Sequence, residues 1–112
     1  MAKLLSVRKL GIAALATLTF GAAAAEAQEP AARRGLTFVR TNCAGCHAID
    51  KVSPSPLAIA PPFRTLHTRY PIENLEEALA EGIVTSHPTM PEFRLDPGQI
   101  ADVIAFFKTL ER

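Results

Sequence analysis

The chain has 112 residues, 21% of them charged, and a formal net charge of +1 at pH 7. That length suits a single domain, and the near-zero balance argues against nucleic acid, which calls for a clustered basic stripe. Tryptophan is absent and only 6% of residues are aromatic, so core material is scarce, and domains this small often lean on a staple or a cofactor.

Lys3, Arg8 and Lys9 make a positive start, an apolar run from Leu10 to Ala25 follows, and "AEA" precedes Gln28. This order is that of a secretory signal peptide cut after Ala27. A retained membrane anchor is the competing reading, weakened by a run shorter than the roughly 20 apolar residues a span requires. The expected division is therefore residues 1–27 as a cleaved leader and residues 28–112 as the domain, with no stable membrane insertion after cleavage. Losing Lys3, Arg8, Lys9 and Glu26 takes the net charge from +1 to −1.

Gln28 to Arg33 reads as a short tail. From Arg34 to about Asn42, Leu36, Val39 and Cys43 fall at helical spacing with Phe38 beside them, predicting a first helix. Between Asp50 and Tyr70, Pro54, Pro56, Pro61 and Pro62 forbid a long helix, leaving extended loop and room for one helical turn around Phe63–His67. Pro71 opens "IENLEEALAEG", with Leu75, Ala78 and Leu79 on one face and Gly82 as a stop. Its glutamates predict a solvated face or a docking patch. "TSHPTMPEFRL" reads as loop. Asp96, Pro97 and Gln99 then form an N-cap, first-turn proline and capping box, and Ile100, Val103, Ile104, Phe107 and Leu110 make an apolar stripe. No strand pattern emerges. The predicted fold class is all-α with long proline-rich connections.

Both cysteines of the chain lie in "TNCAGCHAID", three positions apart, with a histidine directly after the second. In an exported protein a Cys-x-x-Cys pair first suggests a disulfide or a thiol-redox site, but such a site belongs at the mouth of an α/β sheet, for which there are no strands. Zinc is a second possibility, and the local cluster offers three ligands where a structural site takes four. A third reading uses every residue. Positions i, i+3 and i+4 share one helical face, so Cys43 and Cys46 can carry the thioethers of a haem while His47 ligates its iron, the Cys-x-x-Cys-His signature of covalent haem c attachment.

On these residues the chain resembles the small, single-haem, class I c-type cytochromes, over essentially all of residues 28–112. The resemblance implies N- and C-terminal helices that cross tightly, proline-rich loops wrapping one haem c, Cys43 and Cys46 as its attachment points, and His47 as its proximal ligand. It also implies that the carbonyl of Pro61, in "APPF", accepts the imidazole N–H. Met90, in "HPTMPEF", matches the distal methionine, with His87 as competitor, while His67 fits a surface position or a haem-edge contact. Gly35, eight residues before Cys43, and Phe106 match the positions where the two terminal helices touch. Arg64 and Tyr70 are candidates for haem propionate contacts.

Two departures stand out. Val39 occupies a position where relatives often carry a bulky aromatic, and residues 28–112 keep only Lys51 and Lys108 as lysines, so a lysine-ringed docking face is not implied. The expected function is a periplasmic single-electron carrier with His/Met ligation and no enzymatic activity. Its expected partners are redox proteins, such as a periplasmic dehydrogenase, an oxidase or a respiratory complex. Alternatives are a dedicated subunit of such a complex, or a sensor or peroxidase-like haem with a displaceable sixth ligand.

Overall fold

The computed structural model describes residues 29–83, 87 and 89–112; the predicted leader lies outside them. Three α-helices, α1 (Ala31–Asn42), α2 (Leu75–Glu81) and α3 (Pro97–Thr109), are joined by loops that carry two 3₁₀ turns, Phe63–Thr68 and Ile72–Asn74. There is no strand among the described residues. The all-α expectation holds.

Helix α3 begins as its sequence dictates. The Asp96 carboxylate accepts from the Gln99 amide at 2.8 Å, and the Gln99 side chain accepts from the Asp96 amide at 3.2 Å. This closes the capping box, with Pro97 in the first turn. The stripe Ile100, Val103, Ile104, Phe107 and Leu110 is buried throughout, and Phe106 is buried beside it. Each such side chain contributes about 1.5–3 kcal/mol when taken fully out of water.

Against this helix packs α1, the most extensive helix–helix contact in the fold. Val39 is fully buried there, and Leu36 and Phe38 pack partly against the same core. The crossing is closest at Gly35. A Cβ on that residue would lie 2.0 Å from the Asp102 carbonyl oxygen and 2.9 Å from the Phe106 Cβ. Gly35 and Phe106 thus meet where the resemblance predicts.

One boundary differs. Ala31–Arg33, expected as tail, form the first turn of α1. Two alanines suit a helix, and a long-range anchor holds the turn in place. Arg34 donates to both carboxylate oxygens of Asp102 on α3, at 2.8 and 2.6 Å, and also to the Glu29 carbonyl.

Helix α2 enters through a 3₁₀ turn rather than directly after Pro71, a common way to start a helix. That turn plants Ile72, 1% exposed, in the core and leaves Glu73 outside, paired with Lys108 of α3. Leu79 is buried and Leu75 packs against the core, while Glu76, Glu77 and Glu81 are exposed. Gly82 ends the helix at φ +106°, a conformation that side chains resist. Gly82→Ala is expected to cost about 1–2 kcal/mol in a urea melt. The exposed Glu92–Arg94 pair that would meet the new methyl has room to move, so the backbone term dominates.

Candidate functional site

Helix α1 runs out at the first cysteine. The amides of Cys43 and Ala44 donate to the Val39 carbonyl at 2.8 and 3.1 Å, and the amides of Cys46 and His47 then both donate to the Cys43 carbonyl, at 3.1 and 3.0 Å. One carbonyl gathering two amides folds the segment into a single helical turn. That turn leaves Cys43 half-buried, Cys46 exposed and His47 half-buried. The two cysteines form no disulfide with each other. Burial pushes the Cys43 thiol up to about 11, whereas a thiol-exchange nucleophile needs the opposite shift. Among the described residues no three His, Cys, Asp or Glu side chains converge as a metal-holding cluster.

His47 has a defined tautomer. Its Nδ1 lies 2.8 Å from the Pro61 carbonyl oxygen. A carbonyl only accepts, so Nδ1 carries the proton and Nε2 keeps a lone pair for a metal. Pro61 is held in place by its neighbours. The Ala60 amide donates to the Leu57 carbonyl, the Phe63 amide to the Ala48 carbonyl, and the Ala48 amide to the Ser55 hydroxyl. Phe63 stacks on the imidazole with ring centroids 4.5 Å apart. The ring is thereby fixed in orientation by a hydrogen bond and an aromatic face.

The loop behind His47 is anchored by Asp50, whose carboxylate accepts from the Val52 and Ser53 amides at 2.8 and 2.6 Å. Bonds from the Ser53 side chain and then from the Ser53 and Val52 amides hold this carboxyl down to about 2, against an ordinary 3.8. A carboxyl lowered on folding stabilises the fold above its unfolded pKa, and that contribution is lost as pH falls through the folded value. Urea melts of Asp50→Ala and wild type are therefore expected to differ at pH 7 and to converge between about pH 4 and pH 2. Arg64 also serves this loop, donating to the Ser53 carbonyl at 2.7 Å. It does not line the cleft described next, which gives no support to a propionate contact.

A cleft of about 400 Å³ opens between these elements. Its walls come from Phe38 in the second half of α1, Phe63 and Leu66 of the first 3₁₀ turn, Leu79 of α2, Phe93 of the loop before α3, and Phe107 of α3. Phe38 and Phe93 meet edge to face at 6.5 Å. Cys43, Cys46, His47, Pro61 and Met90 all line this one cleft, as do His87 and Tyr70, and among the described residues no Asp, Glu, Lys or Arg does. His67 is exposed and stands off it. The donor set suits a flat, apolar, metal-bearing molecule: two thiols to anchor it, an imidazole of fixed tautomer, and a thioether in the same cavity.

The family model for cytochrome c matches residues 32–111. The chain belongs to the cytochrome c family. It is a small class I c-type cytochrome, all-α, and in general character a haem-binding electron carrier whose haem c is covalently bound and whose partners are redox proteins. No curated protein and no solved structure matches the chain.

Within this cytochrome, several wall residues escape sequence reasoning. Phe38 lines the cleft while Val39, four residues before the first cysteine, is sealed in the core. Both residues are apolar, and only the rotation of α1 against α3 separates them. Phe63 was legible as the residue after two prolines, but its stacking on His47 was not.

Proposed function

We propose that this cytochrome is a periplasmic one-electron carrier with a single haem c, attached through Cys43 and Cys46 and ligated by His47 and Met90. The observation that carries the reading is the convergence of these four side chains on one uncharged cleft, with His47 already oriented by Pro61. Haem supplies an iron that changes oxidation state by one electron without making or breaking a bond to a substrate.

The polypeptide's part is to hold the ligands and set the environment. The Pro61 carbonyl accepts the Nδ1 proton and raises the donor strength of the imidazole. A thioether from Met90 favours the ferrous state more than a second nitrogen would. A cleft wall that holds no charged side chain among the described residues would penalise the extra positive charge of the ferric state in the same direction. Both effects favour a relatively high potential. Were His47 and Met90 both to hold the iron, no position would be left for oxygen or peroxide, which supports a carrier over an enzyme.

Export rests on the residues before Gln28. No helix among the described residues is long and apolar enough to cross a membrane. The expected product is a chain beginning at Gln28 in a periplasmic fraction, read by mass spectrometry together with the added mass of one haem.

The test is an absorption spectrum of the purified protein, oxidised and reduced, with the haem colour staying on the polypeptide through acid–organic extraction. The reduced form should bind carbon monoxide slowly or not at all at neutral pH. A colourless protein would end the proposal, and rapid stoichiometric carbon monoxide binding would favour a sensor or peroxidase-like haem.

A further inference from the structure

The Pro61 carbonyl holds one atom of the His47 ring, Nδ1, at 2.8 Å. A single hydrogen bond fixes a point and leaves the ring free to rock about it, because carbonyl acceptors tolerate a broad spread of directions. The plane of the imidazole needs a second contact. Phe63 supplies it by lying face-on, its ring centroid 4.5 Å away and its plane 23° from parallel.

Phe63 in turn depends on a neighbour. Its backbone is held by Pro62 before it and by its own amide, which donates to the Ala48 carbonyl at 3.0 Å. The last torsion of a phenylalanine side chain is nevertheless broad, so the ring can turn where the backbone cannot. Phe107 of α3 limits that turn, with its ring centroid 4.8 Å from that of Phe63 and a tilt of 59°. Phe63 and Phe107 are both buried and both line the cleft with His47. Phe107 is carried by the helix that crosses α1, and the residue before it, Phe106, meets Gly35 at that crossing. Phe106 itself does not line the cleft, and its ring stands 6.0 Å from that of Phe107.

We infer that Phe107 is a positioning residue for the His47 imidazole, acting through Phe63, so that α3 governs the plane in which that ring lies. The functional weight of this role rests on the reading of His47 as the iron ligand. The distances that carry it run between side chains of the chain itself. Stacked and tilted aromatic pairs hold one another beyond what their buried area explains. A leucine in place of either phenylalanine would fill much of the space but offer no flat face. A functional group is held in one geometry only when the residues that support it are themselves locked by packing, and here the lock is a phenylalanine that does not stack on the imidazole.

The test follows the Nδ1 proton of His47 by NMR in the reduced holoprotein, where its exchange with deuterium reports how often the bond to Pro61 opens. Phe63→Leu and Phe107→Leu should each speed that exchange about three- to tenfold, the worth of one aromatic pair. The double variant should exchange within about twofold of Phe63→Leu alone, because residues acting in series do not add. Phe107→Tyr keeps the flat face and should hold the wild-type rate. Phe106→Leu removes an equally buried ring from the same helix and keeps the Cβ that meets Gly35. It should lower stability and leave the exchange within about twofold of wild type. Should Phe107→Leu fail to accumulate with its haem, Phe107→Met carries the same expectation. Exchange unmoved by loss of the Phe107 ring would overturn the inference, as would an equal rise in Phe106→Leu, while His47 stays the ligand. His47 ring signals without the upfield displacement that a porphyrin ring current imposes on an axial ligand would remove the ligand assignment, and the functional role of Phe107 with it.

Discussion

Replacing Gly35 with leucine is expected to destabilise the holoprotein by at least about 3 kcal/mol, the upper range for overpacking a tight contact. The reason is what a side chain there would strike. A Cβ would sit 2.0 Å from the Asp102 carbonyl oxygen and 2.6 Å from its carbon, and backbone atoms of a neighbouring helix have no rotamer to adopt. Relief requires α1 and α3 to separate, which uncovers Val39, Val103 and Phe106, all buried at this crossing. It also stretches the Arg34–Asp102 pair one residue away.

Gly35→Ala gives the sharper test because two effects oppose each other in sign. Intrinsic propensity favours alanine in a helix by about 1 kcal/mol, whereas the crossing forbids even one added carbon. Urea or thermal unfolding of the holoprotein should show Gly35→Ala less stable than wild type. Equal or greater stability would mean that the helices yield at this point, and the crossing would lose its role in holding the fold.

The elements that were legible in the sequence are those fixed by neighbours along the chain. Asp96, Pro97 and Gln99 specify the start of α3 within four residues, and the stripe from Ile100 to Leu110 specifies its buried face. Gly82 ends α2 for a reason local to its own backbone. The misread tail Ala31–Arg33 depended instead on a bond from Arg34 to Asp102, which no local pattern reveals. The site divides the same way. The turn that joins Cys43, Cys46 and His47 is local, whereas the Pro61 carbonyl, 14 residues on, is the imidazole's partner that the family resemblance implies. Arg64 is fixed by hydrogen bonds to the loop carbonyls of Asp50 and Ser53, contacts that no local pattern reveals. Which aromatic rings wall the cleft depended on how the helices rotate against one another.

Met90→Ala is expected to move the midpoint potential downwards by a substantial part of the about 0.8 V that axial ligands span. It should also abolish the sulfur-to-iron absorption of the oxidised protein and admit carbon monoxide to the reduced one. His87 makes this a test with two arms. It lines the same cleft as Met90, and the Met90 amide donates to the His87 carbonyl at 3.2 Å, so the two residues are turned together at one end of the loop. If the thioether is the ligand, His87→Ala leaves the potential and the absorption close to wild type while Met90→Ala changes both. If the imidazole is the ligand, the pattern inverts: His87→Ala raises the potential or opens the site, and Met90→Ala costs only packing, about 2–5 kcal/mol at most for a buried methionine.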